Sequence, residues 1–263
     1  ISVRQEMYRV SKLALAGRAG APATPENPTP EQQQAAIRAA LDLAAADRPA
    51  RDQLVETATA GTEEARRFVI EKDLITLPEG PVRVILMPEF QRGYAVAYCD
   101  SPGPLERHLD TFYAVSPIPD DWTEEQTVSF LREYNNRGTL DIAVHEAMPG
   151  HYVQIYHSNR YPSTLRAVLG SGSFIEGWAV YAEEMMVQEG FRADDPLFRL
   201  TQLKIQLRTI TNSIIDQAIH VEGLTQEEMM RFLPETAFQE EREAAGKCRR
   251  AQNSDTQLST YFV

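Results

Sequence analysis

Apolar positions recur at helical spacing through most of the chain and give way to strand-like runs in one stretch only. Val3, Met7, Tyr8, Val10, Leu13 and Leu15, with Ile1 ahead of them, make an amphipathic opening segment. Residues 16–30 are rich in Gly, Ala and Pro, with Pro22, Pro25, Pro28 and Pro30, and read as an exposed loop. Strong helix formers over residues 31–46 predict a helix, followed by two shorter ones at 51–59 and 62–73. Val82–Leu86, Tyr94–Tyr98 and Phe112–Val115 are then short β-branched and aromatic runs bounded by Pro, Gly and Asp, which predicts three strands of a small antiparallel sheet. Everything downstream is helical in pattern. Thr123 with Gln126, and Thr225 with Glu228, have the spacing of capping boxes, and further helices are expected at 139–157, 173–189 and 196–222. The fold class is α+β, predominantly α-helical. Residues 1–73 read as a helical N-terminal segment, the end of a larger upstream region, and 74–263 as one domain that stops short within the apolar run Thr260-Tyr261-Phe262-Val263.

Composition narrows the partners. A chain of 263 residues that is 43% hydrophobic builds a sizeable core. Its net charge of −12 argues against nucleic acid or an anionic membrane as partner, since either calls for a basic face. No apolar run has the length of a membrane span. Cys99 and Cys248 lie far apart and match neither a metal-ligand spacing nor a redox motif. Nothing in the pattern reports oligomeric state.

Residues 145–151 carry the chemistry: His-Glu-Ala-Met-Pro-Gly-His, with Glu176 further on in Phe-Ile-Glu-Gly-Trp. Two imidazoles and a carboxylate suit Zn²⁺, and three protein ligands leave a position for water. In His-Glu-x-x-His the histidines are four apart and about 40° apart around a helix, so both reach one ion. Six apart on a regular helix, they diverge by about 120° and about 9 Å along the axis, too far for bonds of about 2.0–2.1 Å. A zinc site therefore requires a deformed helix between His145 and His151. Pro149, lacking an N–H, and Gly150 supply the cause. The alternative is that Pro149-Gly150 merely ends a helix and His151 is an ordinary polar residue beyond it. Glu146 is the candidate general base, taking a proton as metal-activated water attacks a carbonyl.

Two later helices add polar groups among apolar ones. Glu183, seven residues after Glu176 and on the same face, is placed to orient a ligand imidazole, or else is solvated like its neighbour Glu184. Asp216 and His220, four apart in an apolar run, form either a substrate-contacting pair or a buried structural one. His157 is a rival ligand placed near a helix end, and His108 reads as a surface residue.

The segment His145–Gln154 (HEAMPGHYVQ) resembles a bacterial family carrying the domain-of-unknown-function number 885, whose hallmark is H-E-x-x-P-G-H-x-x-Q. EGWAVYAEE from Glu176 and DQAIH from Asp216 to His220 are similar to further family signatures, and the likeness runs from Tyr94 to Val263. The resemblance implies a zincin-like metallopeptidase of the glutamate-ligand type, with His145, His151 and Glu176 on zinc and Glu146 as base. It also implies a longer parent protein, with the periplasm or cell envelope as the expected compartment and the cytoplasm as the alternative. Thr260-Tyr261-Phe262-Val263 is similar to the stretch carrying the transition-state tyrosine of the angiotensin-converting type of peptidyl dipeptidase, which implies oxyanion stabilisation by Tyr261. In related enzymes an edge strand pairs with the substrate backbone, a role for Tyr94–Tyr98 or Phe112–Val115. The leading expectation is a zinc peptidase acting on short peptides. Its rivals are a metal-dependent hydrolase of non-peptide amides or esters, and a non-catalytic helical binding domain with a structural metal.

Overall fold

Helices begin where the sequence offers caps. The hydroxyls of Ser2, Thr29, Thr123 and Thr225 each accept a hydrogen bond from the backbone N–H three residues on, and the Gln or Glu there accepts one from the cap's own N–H. The computed structural model describes residues 2–93 and 95–261. In chain order its elements are α1 (Val3–Leu15), α2 (Pro30–Ala46), α3 (Leu54–Glu71), β1 (Arg83–Leu86), β2 (Ala97–Asp100) and β3 (Phe112–Val115). There follow α4 (Glu124–Glu133), α5 (Asn136–Glu146), α6 (His151–Asn159), α7 (Thr164–Val168), α8 (Gly172–Gln188), α9 (Pro196–Gln217), α10 (Gln226–Ala237) and α11 (Glu241–Asn253). The protein is thus predominantly helical with one small sheet. No helix among the described residues is long and apolar enough to cross a membrane. The strand expected from Tyr94 begins instead at Ala97; Tyr94 itself, like Ile1, Phe262 and Val263, lies outside the described residues.

The chain forms two compact units that alternate along the sequence, so the expected break after residue 73 falls inside the second. The first unit comprises residues 1–48, 123–138 and 190–258. Here α1 packs on α2 and α9 through Met7, Val10, Ile37, Ala40, Leu200 and Leu203, while α10 and α11 enclose Met229, Leu233, Ala244 and Cys248. Helix α9 ends five residues before the expected limit: Ala218–Glu222 widen into a π-helical turn that Gly223 stops with φ +75°, a backbone that favours glycine.

The second unit comprises residues 49–122, 139–189 and 259–263. Its sheet has the order β1-β3-β2 and is mixed rather than antiparallel. The loop from Ser101 to Thr111 reverses the chain so that β2 and β3 pair antiparallel, leaving the far edge of β3 to β1, which runs in the same direction. A second correction concerns α3, one helix where two were expected. The helix runs on through Gly61, where a Cβ would meet Leu140 Cδ1 at 3.2 Å and Ala143 Cβ at 3.4 Å: its bareness lets α5 approach closely. Cys99 and Cys248 are both free thiols.

Candidate metal centre

The expected motif helix 139–157 is broken outright. Helix α5 ends at Glu146, four residues turn, and α6 starts at His151, so the two histidines stand on different helices. The Met148–Pro149 peptide is cis, and the Gly150 N–H donates to the carbonyl of Val144 at 3.0 Å. This return is tight: a Cβ on Gly150 would lie 1.8 Å from the carbonyl oxygen of His145, so only glycine fits. Trp178 of α8 locks the turn, its indole N–H donating to the Pro149 carbonyl at 2.9 Å. Tyr152 of α6 donates its hydroxyl to the Gly80 carbonyl at 2.6 Å.

Breaking the helix brings the imidazoles together, ring centroids 4.7 Å apart and planes nearly perpendicular. Glu176, entering on α8, points Oε2 between them, 3.5 Å from Nε2 of His145 and 3.4 Å from Nε2 of His151. His145, His151 and Glu176 offer ligand atoms all within 4.8 Å of one another. Those separations are long for hydrogen bonds, but ligand atoms at the corners of a tetrahedron with bonds of about 2.0–2.1 Å stand about 3.4 Å apart. Glu176 Oε2 is buried and has no hydrogen-bond partner of normal length. The donor set and its spacing therefore fit a zinc ion.

The surrounding charges point the same way. Glu183, 2% exposed, lies with Oε1 2.6 Å from His145 Nδ1, so this nitrogen donates to the carboxylate and Nε2 keeps a lone pair for a metal. Burial works against the imidazolium of His145, yet the neighbouring carboxylates of Glu176 and Glu183 raise its pKa well above the ordinary value. Burial likewise opposes ionisation of Glu176, but the two imidazoles lower its pKa strongly. Glu146, next to His145 in sequence, is buried within electrostatic reach of the sheet. Its carboxylate adds to the effect of burial in raising Tyr113 well above the usual phenol range and in pushing Cys99 up to about 12. Cys99 and Tyr113 are cross-strand partners on β2 and β3, neighbours of the candidate base that the sequence pattern did not single out.

No curated protein matches the chain. A family model described as bacterial protein of unknown function, DUF885, matches residues 3–263. The chain belongs to this family. Among solved structures, one described as a putative lipoprotein of unknown function from Shewanella oneidensis is 36% identical with a TM-score of 0.80, over 99% of this chain and 45% of that one. Another, from Colwellia psychrerythraea and described as a putative lipoprotein, is 19% identical with a TM-score of 0.74, over 98% and 43%, and shows the shared fold. The present DUF885 chain thus spans under half the length of these relatives.

Within the DUF885 chain the other predicted residues divide clearly. The ring of Tyr261 stacks on that of His145, centroids 6.3 Å apart, so this tyrosine joins the centre. His157 does not: its Nε2 bonds the Thr76 carbonyl at 2.8 Å. His108 is exposed. Asp216 and His220 belong to the first unit, where the His220 Nε2–H donates to the Ser254 carbonyl at 3.0 Å and lies 3.7 Å from Asp216 Oδ1.

Proposed function

We propose that this chain carries the catalytic centre of a zinc-dependent peptidase of the glutamate-ligand zincin type, acting on short peptides. The observation that carries the reading is Glu176 Oε2 set at 3.4 and 3.5 Å from two imidazole nitrogens, ligand spacing rather than hydrogen-bond spacing. His145, His151 and Glu176 would hold the ion. When bound, zinc supplies Lewis acidity and brings the ionisation of water into the neutral range. Glu183 fixes the tautomer of His145. Glu146, adjacent in sequence to a ligand and not itself one of the three, accepts the proton of the attacking water and returns it to the leaving amine. Tyr261 donates to the oxyanion as it develops. Because β3 is paired on both sides, β2 is the strand of the two considered that keeps an edge for a substrate backbone. The lipoprotein descriptions of the relatives support a place in the cell envelope.

Metal analysis and kinetics on the full-length protein test this. Glu146→Gln should keep one zinc per chain and lose peptide turnover by several orders of magnitude, whereas Glu176→Ala should lose zinc. Wild-type turnover in Glu146→Gln, or full zinc occupancy in Glu176→Ala, removes that residue from its role. Turnover of esters or non-peptide amides with none of peptides assigns the centre to a different hydrolase.

A further inference from the structure

Between the helix that carries His151 and the one that carries Glu176 runs a segment whose apolar side chains face outward. Helix α7 in its middle has no buried residue. Leu165, Val168 and Leu169, three and four positions apart and so on one face, are 70, 57 and 69% exposed, and Tyr161 and Phe174 are at least half exposed. Exposed apolar clusters of this kind mark binding surfaces. From Ser158 to Ile175 there is no acidic residue, only Arg160 and Arg166. These guanidiniums lie over the rings of Tyr156 and Tyr161, at 3.3 and 4.8 Å, and neither pairs with a carboxylate among the described residues. In a chain of net charge −12, such a strip repels cations and draws neutral or acidic groups.

The strip is continuous with the metal centre. Gly172 opens α8 four residues before Glu176, one turn away on the same face. At the root of α8, a Cβ on Gly172 would lie 3.6 Å from Thr260, next to the Tyr261 whose ring stacks on His145. We infer that residues 161–174 are the recognition lip of this centre, taking a large apolar side chain of a neutral or acidic peptide and disfavouring basic ones. The inference rests on the peptidase reading and names its substrate class.

The test separates the two by measuring binding. Full-length Glu146→Gln, unable to turn over, is titrated with labelled peptides identical but for Leu, Ala or Lys at one position, scanned along the peptide. The same titration is run with Leu165→Gln and Leu169→Gln added, and separately with Phe174→Ser. At one position the parent should bind the Leu peptide about tenfold tighter than Ala or Lys. The lip variants should bind all three alike, with zinc content and melting temperature unchanged. An undiminished Leu preference in both lip variants overturns the inference, as does absence of peptide binding in the parent. It also fails if both variants lower the melting temperature by several degrees, since the strip then packs inside the protein. It fails again if they lose adsorption to phosphatidylglycerol vesicles while keeping peptide preference, since the strip then meets lipid. Failure of the peptidase reading is a distinct result: zinc-loaded wild type that cleaves no peptide.

Discussion

In the first unit Lys204 Nζ meets Glu133 at 2.6 Å, and Glu243 lies 3.5 Å from Arg208 and 3.7 Å from Lys247. In the second, Glu146, Glu176 and Glu183 gather around His145 and His151, and among the described residues no lysine or arginine pairs with any of them. Both clusters are largely buried, so desolvation opposes charge in each. The first answers it internally: burial lowers Lys247 to about 8 even as Glu243 pulls it upward, and Lys247 and Arg208 in turn lower Glu243. The second recruits only histidines, which are neutral unless protonated. A buried cluster that balances its own charge is structural; one whose carboxylates meet only histidines is the candidate for holding a cation.

Perturbing each cluster gives different outcomes, and the largest effect is expected in the balanced one. Lys204→Met alone leaves Glu133 buried without its cation and should lower unfolding free energy by about 3–5 kcal/mol, most of it recovered by adding Glu133→Leu. Denaturant titration of both variants reads this, and a neutral single variant breaks the contrast. Chelation should act on the other cluster. Zinc at a thousandfold excess over its Kd contributes about 4 kcal/mol, and its removal should expose amides of α5, α6 and α8 to hydrogen exchange while those of α9 and α11 keep their protection.

The pH dependence sharpens the same point. His145 has its folded pKa raised above the ordinary value near about 6.5, so the metal-free protein holds this stabilisation at lower pH and loses it as pH rises through the raised value. Zinc competes with that proton. Its affinity should therefore fall on acidification, by up to about tenfold per pH unit, as a chelator competition assay would show. Smaller still is Trp178→Phe, which removes the bond to the Pro149 carbonyl: about 1 kcal/mol in stability, with a measurable drop in zinc affinity if the turn positions the ligands. The exposed Arg9–Glu6 pair should contribute under about 1 kcal/mol, so Arg9→Ala sets the floor against which the others are read by thermal melting.

What could be read from sequence was local. The Thr123 and Thr225 caps depend on residues three apart, and the helices they start lie where the pattern puts them. The six-residue spacing of the histidines, with Pro149 and Gly150 between, foretold a distortion because one turn of backbone decides it, although a full break exceeds the deformation expected. Glu183 was legible from its seven-residue interval to Glu176. The strand order β1-β3-β2 was not, since pairing is settled between distant segments, and with it went the pairing of Cys99 with Tyr113 across β2 and β3. Nor could apolar periodicity show that Leu165 and Leu169 face outward, because an exposed amphipathic turn and a buried one share one pattern.

The alternation of the two units has a consequence for how the molecule can be cut. The chain passes from one unit to the other at 48/49, 122/123, 138/139, 189/190 and 258/259, so no contiguous fragment contains one unit whole without residues of the other. A fragment bounded at residues 139 and 189 would hold every proposed zinc ligand, yet lack the sheet of the same unit and the segment bearing Tyr261. Folding must close several long loops before either core is complete, which favours slow, cooperative assembly over stepwise growth from one end.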